Sequence, residues 1–113
     1  MSRYLTLCRN CFGMSTRIEC AALPLDGGRG LWVLICAAGL SDSQPSSVKA
    51  QGPFHGAFEV EAVMGDVACN LQAMGYETCL DMPIWRLHIQ AELRRTNARG
   101  SVVEEGCQGV PEP

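Results

Sequence analysis

The chain has 113 residues, which sets it at the size of one domain and leaves no room for a second core. With 47% hydrophobic and 19% charged residues it is neither disordered nor low in complexity, and a net charge of −3 provides no overall field for a polyanion. Its longest apolar run, Gly30 to Leu40, is too short to cross a bilayer, and no charged-then-apolar secretory leader precedes it, so the expected location is cytoplasmic.

The seven cysteines agree with that expectation, because an odd number scattered partly in apolar runs reads as free thiols and not as a disulfide framework. Eight of the nine basic residues are arginine, and Ala and Gly are abundant, a codon-level hint of a GC-rich bacterial genome.

Three short stretches open the chain: Tyr4 to Leu7, Thr16 to Leu23 and Leu31 to Ala38. Each is apolar or alternating, and "NCFGM" and "PLDGGRG" separate them, which predicts a three-stranded antiparallel meander. In the second stretch Ile18, Cys20 and Ala22 share one face, opposite Arg17 and Glu19. The third is apolar throughout and belongs at the centre of the sheet or under a helix. "DGGRG" reads as a hairpin loop, since a strand and not a helix N-terminus comes after it. Ser41 to Ser47 reads as a polar loop, and "GPFHG" as a loop carrying His55 into a helix.

That helix, in residues 56–77, is the clearest element. Val60, Val63, Met64, Val67, Leu71 and Met74 repeat at i, i+3, i+4, i+7 along one face, and Gly75 is placed as a C-terminal cap. The opposite face gathers Phe58, Ala62, Gly65, Cys69 and Ala73, where a solvated helix would carry charge. This face has two readings: the helix is wedged between the sheet and the last element of its own chain, or Ala62, Gly65, Cys69 and Ala73 form a partner-binding face in a homodimer. "GPF", then a helix with Glu61 and Ala62, then "GY" resembles the middle of the SPOR peptidoglycan-binding repeats over residues 52–76. The resemblance lacks a second strand-helix half, and the chain is not assigned to that family.

Residues 84–94 alternate like a strand, yet Gln, Ala, Glu, Leu and Arg are strong helix formers, and Asp81 and Pro83 stand like start signals. We read a second helix, with a terminal strand as the alternative. As a helix it carries two apolar stripes, Ile84, Leu87 and Ala91, and Trp85, Ile89 and Leu93, suited to packing against both the sheet and the first helix. The expected whole is an α+β domain over residues 1–101 with a flexible tail over 102–113.

No catalytic constellation emerges, and no cofactor is called for. The pair Cys8 and Cys11 has zinc-knuckle spacing, but a closed site needs four ligands and no second pair exists; they remain weak candidates for metal. His55 and His88 stand near no nucleophile in an activating pattern. Charge is asymmetric: residues 57–81 hold five acids and no base, while residues 82–101 hold Arg86, Arg94, Arg95 and Arg99 against Glu92 alone. Arg86, Arg94 and Arg95 with Trp85 for stacking suit a nucleic-acid or acidic partner. The alternative, which we favour, packs the basic element beside the acidic helix of its own chain. The expected function is that of a small non-catalytic binding or regulatory protein that self-associates, with nucleic-acid binding and a Cys8/Cys11 zinc module as the other readings.

Overall fold

A computed structural model describes residues 4–80 and 82–102, with side chains through residue 99. It is an α+β fold, with β1 (Tyr4–Cys11), β2 (Met14–Pro24), β3 (Leu31–Leu40), β4 (Ser47–His55), α1 (Ala57–Ala73), β5 (Glu77–Thr78) and α2 (Arg86–Val102). The sheet runs β4-β3-β2-β1-β5, every pair antiparallel. The helical reading of the last element holds. The tail expected over 102–113 falls, beyond Val102, outside the described residues, as does Asp81.

The meander forms because each hairpin has a turn whose chemistry permits it. Phe12 (φ 54) and Gly13 (φ 79) make a two-residue turn closed by the pair Cys11 and Met14, both turn residues being left-handed as a type I′ turn requires. The β2–β3 connection is closed by Leu25 N–H donating to Leu31 C=O at 2.8 Å.

Strand alternation then sorts the core into two layers. Ala21, Val33, Ile35 and Ala37 pack with Trp85 and Ile89 on one face, and Cys20, Ala22 and Leu34 pack with Val60 and Met64 on the other. β3 is apolar throughout because both its faces are covered. The two helices therefore lie on opposite sides of the sheet, and the expectation that the last element packs against the first helix is wrong. α1 carries the chain from the β4 edge across the sheet to the β5 edge. α2 covers β3 and β4 from behind.

β4 replaces what was expected to be loop on both sides of residue 50. Its sequence hides it, for "SVKAQGPFH" contains Lys, Gln, Gly and Pro and lies at an edge with most side chains exposed. It is also bulged: Trp32 pairs Phe54 and Leu34 pairs Gln51, so Val33 alone faces Gly52 and Pro53, which are joined by a cis peptide bond. The bulge switches the facing of the residues beyond it. Val48 and Ala50 pack toward α2, whereas Phe54 packs toward α1, and a period-2 pattern cannot show that.

α1 buries Val60 and Met64, with Val63 and Val67 partly buried beside them, as the spacing predicts, whereas Met74 at the end of that stripe is exposed. Glu59 in its first turn accepts from the His55 backbone N–H. At the other end Gly75 (φ 99) donates to Gln72 C=O and Tyr76 donates to Leu71 C=O, both at 3.0 Å, a Schellman arrangement that satisfies two terminal carbonyls.

Candidate functional site

The outer face of α1 has a composition unusual for a solvated helix. Phe58, Ala62, Gly65, Cys69 and Ala73 are all exposed, Phe58 at 88%. The alternative in which the last element of the same chain covers them is overturned, because α2 is across the sheet. A Cβ built on Gly65 meets no atom within 4 Å. Nothing among the described residues requires glycine there.

α2 is arranged differently from its reading in sequence. Trp85 is 2% exposed, packed with Ile89 against β3, and its indole N–H donates to Ser43 C=O at 3.0 Å. It is not available to stack on a base. Arg86 lies over the Tyr4 ring at 5.2 Å, and Arg95 and Arg99 both pair with Glu92, at 2.7 and 3.0 Å. Those bonds hold the Glu92 carboxylate below its usual pKa against the effect of burial. Arg94 is exposed. The expectation that the basic helix packs beside acidic α1 is corrected: α2 answers its own acid within one turn or two. Of the two apolar stripes only Trp85, Ile89 and Leu93 faces the core; Ile84 and Leu87 are exposed, with Leu80 and Met82 before them.

A buried polar centre lies where strand alternation predicts a solvated face. Glu19 is 0% exposed and accepts four hydrogen bonds: Tyr4 O–H (2.6 Å) and Trp85 N–H (3.2 Å) on Oε1, Arg17 Nε–H (2.7 Å) and Ile84 N–H (2.8 Å) on Oε2. Arg17, also buried, donates through Nη2 to Met82 C=O at 2.8 Å. One carboxylate from the middle of the sheet thus caps the N-terminus of α2, where two backbone donors lack intrahelical partners. Burial works to raise the Glu19 pKa, but the four donors prevail and hold it below the usual carboxylate value. The same contact raises the Tyr4 pKa, through burial first and the carboxylate second. Sequence offered one unused signal: Arg17 and Glu19 share their face with Ala21 and Leu23.

The cysteines separate by register. Cys8 faces Arg17 across the β1–β2 ladder while Cys11 faces Met14, so the two thiols leave opposite sides of the sheet. They do not converge on a common ligand. Among the described residues no three His, Cys, Asp or Glu side chains are grouped to hold a metal ion. Cys20 and Cys36 are directly opposed on β2 and β3 with Sγ–Sγ 3.0 Å. His55 ends β4 at the surface, its Nδ1 3.7 Å from Glu59 Oε1, and His88 is half-buried. A depression of about 430 Å³ opens at the end of the sheet, lined in part by Thr16, Arg17, Ser43, Gln44, Ser46 and Tyr76. Its lining contains no acid, thiol or imidazole to act as a general base, and Arg17 is already engaged by Glu19 and Met82.

No helix among the described residues is long and apolar enough to cross a membrane. Compared with known proteins, the chain matches the family described as PA4575-like protein over residues 1–113, and it belongs to that family. No curated protein and no solved structure matches it.

Proposed function

We propose that this member of the PA4575-like family is a small cytoplasmic, non-catalytic binding protein that self-associates through the outer face of α1. Gly65 carries the reading. A glycine inside an exposed helix costs about 0.8–1.0 kcal/mol relative to alanine. That cost has no return among the described residues, where a Cβ at this position would meet no atom within 4 Å. Close approach by a second backbone gives it one, and the neighbours suit that approach: Ala62, Cys69 and Ala73 are small, and Phe58 supplies exposed apolar area at one end. In a two-fold dimer the same patch would serve on both copies, with Glu59 and Asp66 left at its rim in water.

Sedimentation and native mass measurement on the wild type, Cys69→Arg and Gly65→Ala test this. The wild type should be a dimer. Cys69→Arg should be a folded monomer with an unchanged circular dichroism spectrum, since Cys69 is exposed in the single chain and arginine there buries no charge. Gly65→Ala should stabilise the monomer by about 1 kcal/mol while weakening the dimer. A wild type that stays monomeric at high concentration, or a Cys69→Arg dimer as tight as the parent, refutes the proposal.

A further inference from the structure

We propose that Cys20 and Cys36 form a reversible modification site, a dithiol in the central strand pair that a small hydroperoxide converts to an intramolecular disulfide. The geometry comes from the ladder. Leu25 N–H bonds to Leu31 C=O at one end of the β2–β3 pair and Ser41 N–H bonds to Ser15 C=O at the other. The bonded positions on the β2 side, Ser15 and Leu25 just past its end, are odd-numbered, and the register runs unbroken from Thr16–Leu40 to Pro24–Trp32. Bonded and non-bonded pairs alternate along an antiparallel ladder, so Cys20 and Cys36 occupy a non-bonded pair, the class with α-carbons about 4.5 Å apart and side chains closest. That spacing lies within the roughly 4.4–6.8 Å over which disulfides form.

The sulfurs are 3.0 Å apart, and a bond of about 2.05 Å requires them to close by about 1 Å. The two thiols differ in access: Cys20 is fully buried under α1 with Leu34 and Val60, whereas Cys36 is half-buried. Cys36 is therefore the attacking thiol and Cys20 the resolving one.

The chemistry balances with the hydroperoxide as the sole oxidant. The Cys36 thiolate attacks the terminal peroxide oxygen, the O–O bond breaks, and the alkoxide leaves with a proton as alcohol, or as water from hydrogen peroxide. Cys36 is then a sulfenic acid. The Cys20 sulfur attacks that sulfur, the S–O bond breaks, and hydroxide leaves with the Cys20 proton as water. Two thiols and one hydroperoxide give one disulfide, one alcohol and one water, with two electrons passing from sulfur to oxygen. The site is independent of self-association, because it lies in the core and not on the outer face of α1.

The test treats the reduced full chain with hydrogen peroxide, blocks remaining thiols with N-ethylmaleimide, and maps tryptic peptides without reduction. Cleavage after Arg17, Arg29 and Lys49 places Cys20 in residues 18–29 and Cys36 in residues 30–49, each the lone cysteine of its peptide. The expected result is one linked species of these two peptides, lighter by two hydrogens than their sum and separated by dithiothreitol. In Cys20→Ala, dimedone should capture a sulfenic acid at Cys36, and in Cys36→Ala, Cys20 should remain a thiol. Separate maleimide-blocked Cys20 and Cys36 peptides from the treated wild type, or a linkage of Cys36 to Cys69 or to another copy, would overturn the proposal.

Discussion

Replacing Glu19 with glutamine keeps the shape of the buried centre and removes its charge. All four neighbours are donors in the wild type, and an amide nitrogen in place of one oxygen meets two of them. The least costly orientation puts the NH2 at the Oε1 position, because the Tyr4 hydroxyl can rotate to accept and the Trp85 N–H bond, at 3.2 Å, is the longest of the four. Even so, Trp85 N–H is left unpaired, at about 1–3 kcal/mol, and the Arg17 guanidinium stays buried without a counter-charge. Removing one partner of a buried ion pair costs about 3–5 kcal/mol. These contributions overlap, since both describe the loss of one carboxylate oxygen, so the expected destabilisation is about 3–4 kcal/mol. Against a domain stability of about 5–15 kcal/mol, such a change should move a urea midpoint far while leaving the slope unchanged.

Urea unfolding followed by the fluorescence of Trp32 and Trp85 would measure this. Amide exchange adds a local readout, because faster exchange at Ile84 and Trp85 reports loss of the cap. If Glu19→Gln lies within about 0.5 kcal/mol of the wild type, the range of an ordinary surface substitution, then the carboxylate does not hold α2 to the sheet and the reasoning fails.

Stability should also fall in acid. Glu19 and Glu92 both have folded pKa values below the ordinary 4.5, so the unfolded chain binds more protons as pH drops; their contribution is complete above about 4.5 and is lost as pH falls through the lower folded values, which a urea series from pH 7 to pH 3 would show as a falling midpoint. Phe12→Asn should stabilise the fold by about 1 kcal/mol: the phenylalanine is 100% exposed, so no burial is lost, and its left-handed backbone costs about 1–2 kcal/mol that Asn before Gly reduces. An unchanged or lower melting temperature for that variant would mean that the turn is not strained by its side chain.

How far the sequence reaches is seen by comparing elements. The first three strands were legible because short apolar or alternating runs stand between glycine-bearing turns, and the buried stripe of α1 was legible because Val60, Met64 and their neighbours repeat at helical spacing. β4 was not, since an edge strand with a bulge obeys neither period: Gly52 and Pro53 opposite Val33 shift the facing of Phe54. The exposed outer face of α1 could be read, but not its freedom from α2. Which side of a sheet a second helix takes depends on the path from β5 to residue 85, and no local pattern encodes that path.

The same limit explains the misplaced charges. Arg17 and Glu19 alternate with Ile18 and Cys20 in the manner of a strand with one wet face, and from four residues that inference is sound. What dries the face is Trp85, more than sixty residues later, packing on Ala21, Val33 and Ile35 and presenting its own N–H to the carboxylate. A charge in an alternating strand is thus evidence of a polar environment, which water and a helix N-terminus supply equally well. Here the helix supplies it. The pair then has a positional role: Glu19 faces the two backbone donors that immediately precede α2, and Arg17 holds the carbonyl of Met82 just before them, so the register of the last helix on the sheet is set by hydrogen bonds as well as by the fit of Trp85 and Ile89. Substituting both charges by apolar residues of similar size leaves no buried charge but removes the acceptor of Tyr4 O–H, Ile84 N–H and Trp85 N–H, of which Glu19→Gln strands only one. It should therefore cost at least as much as Glu19→Gln, and the penalty should appear as slippage or fraying before α2, seen in faster exchange of the Ile84 and Trp85 amides.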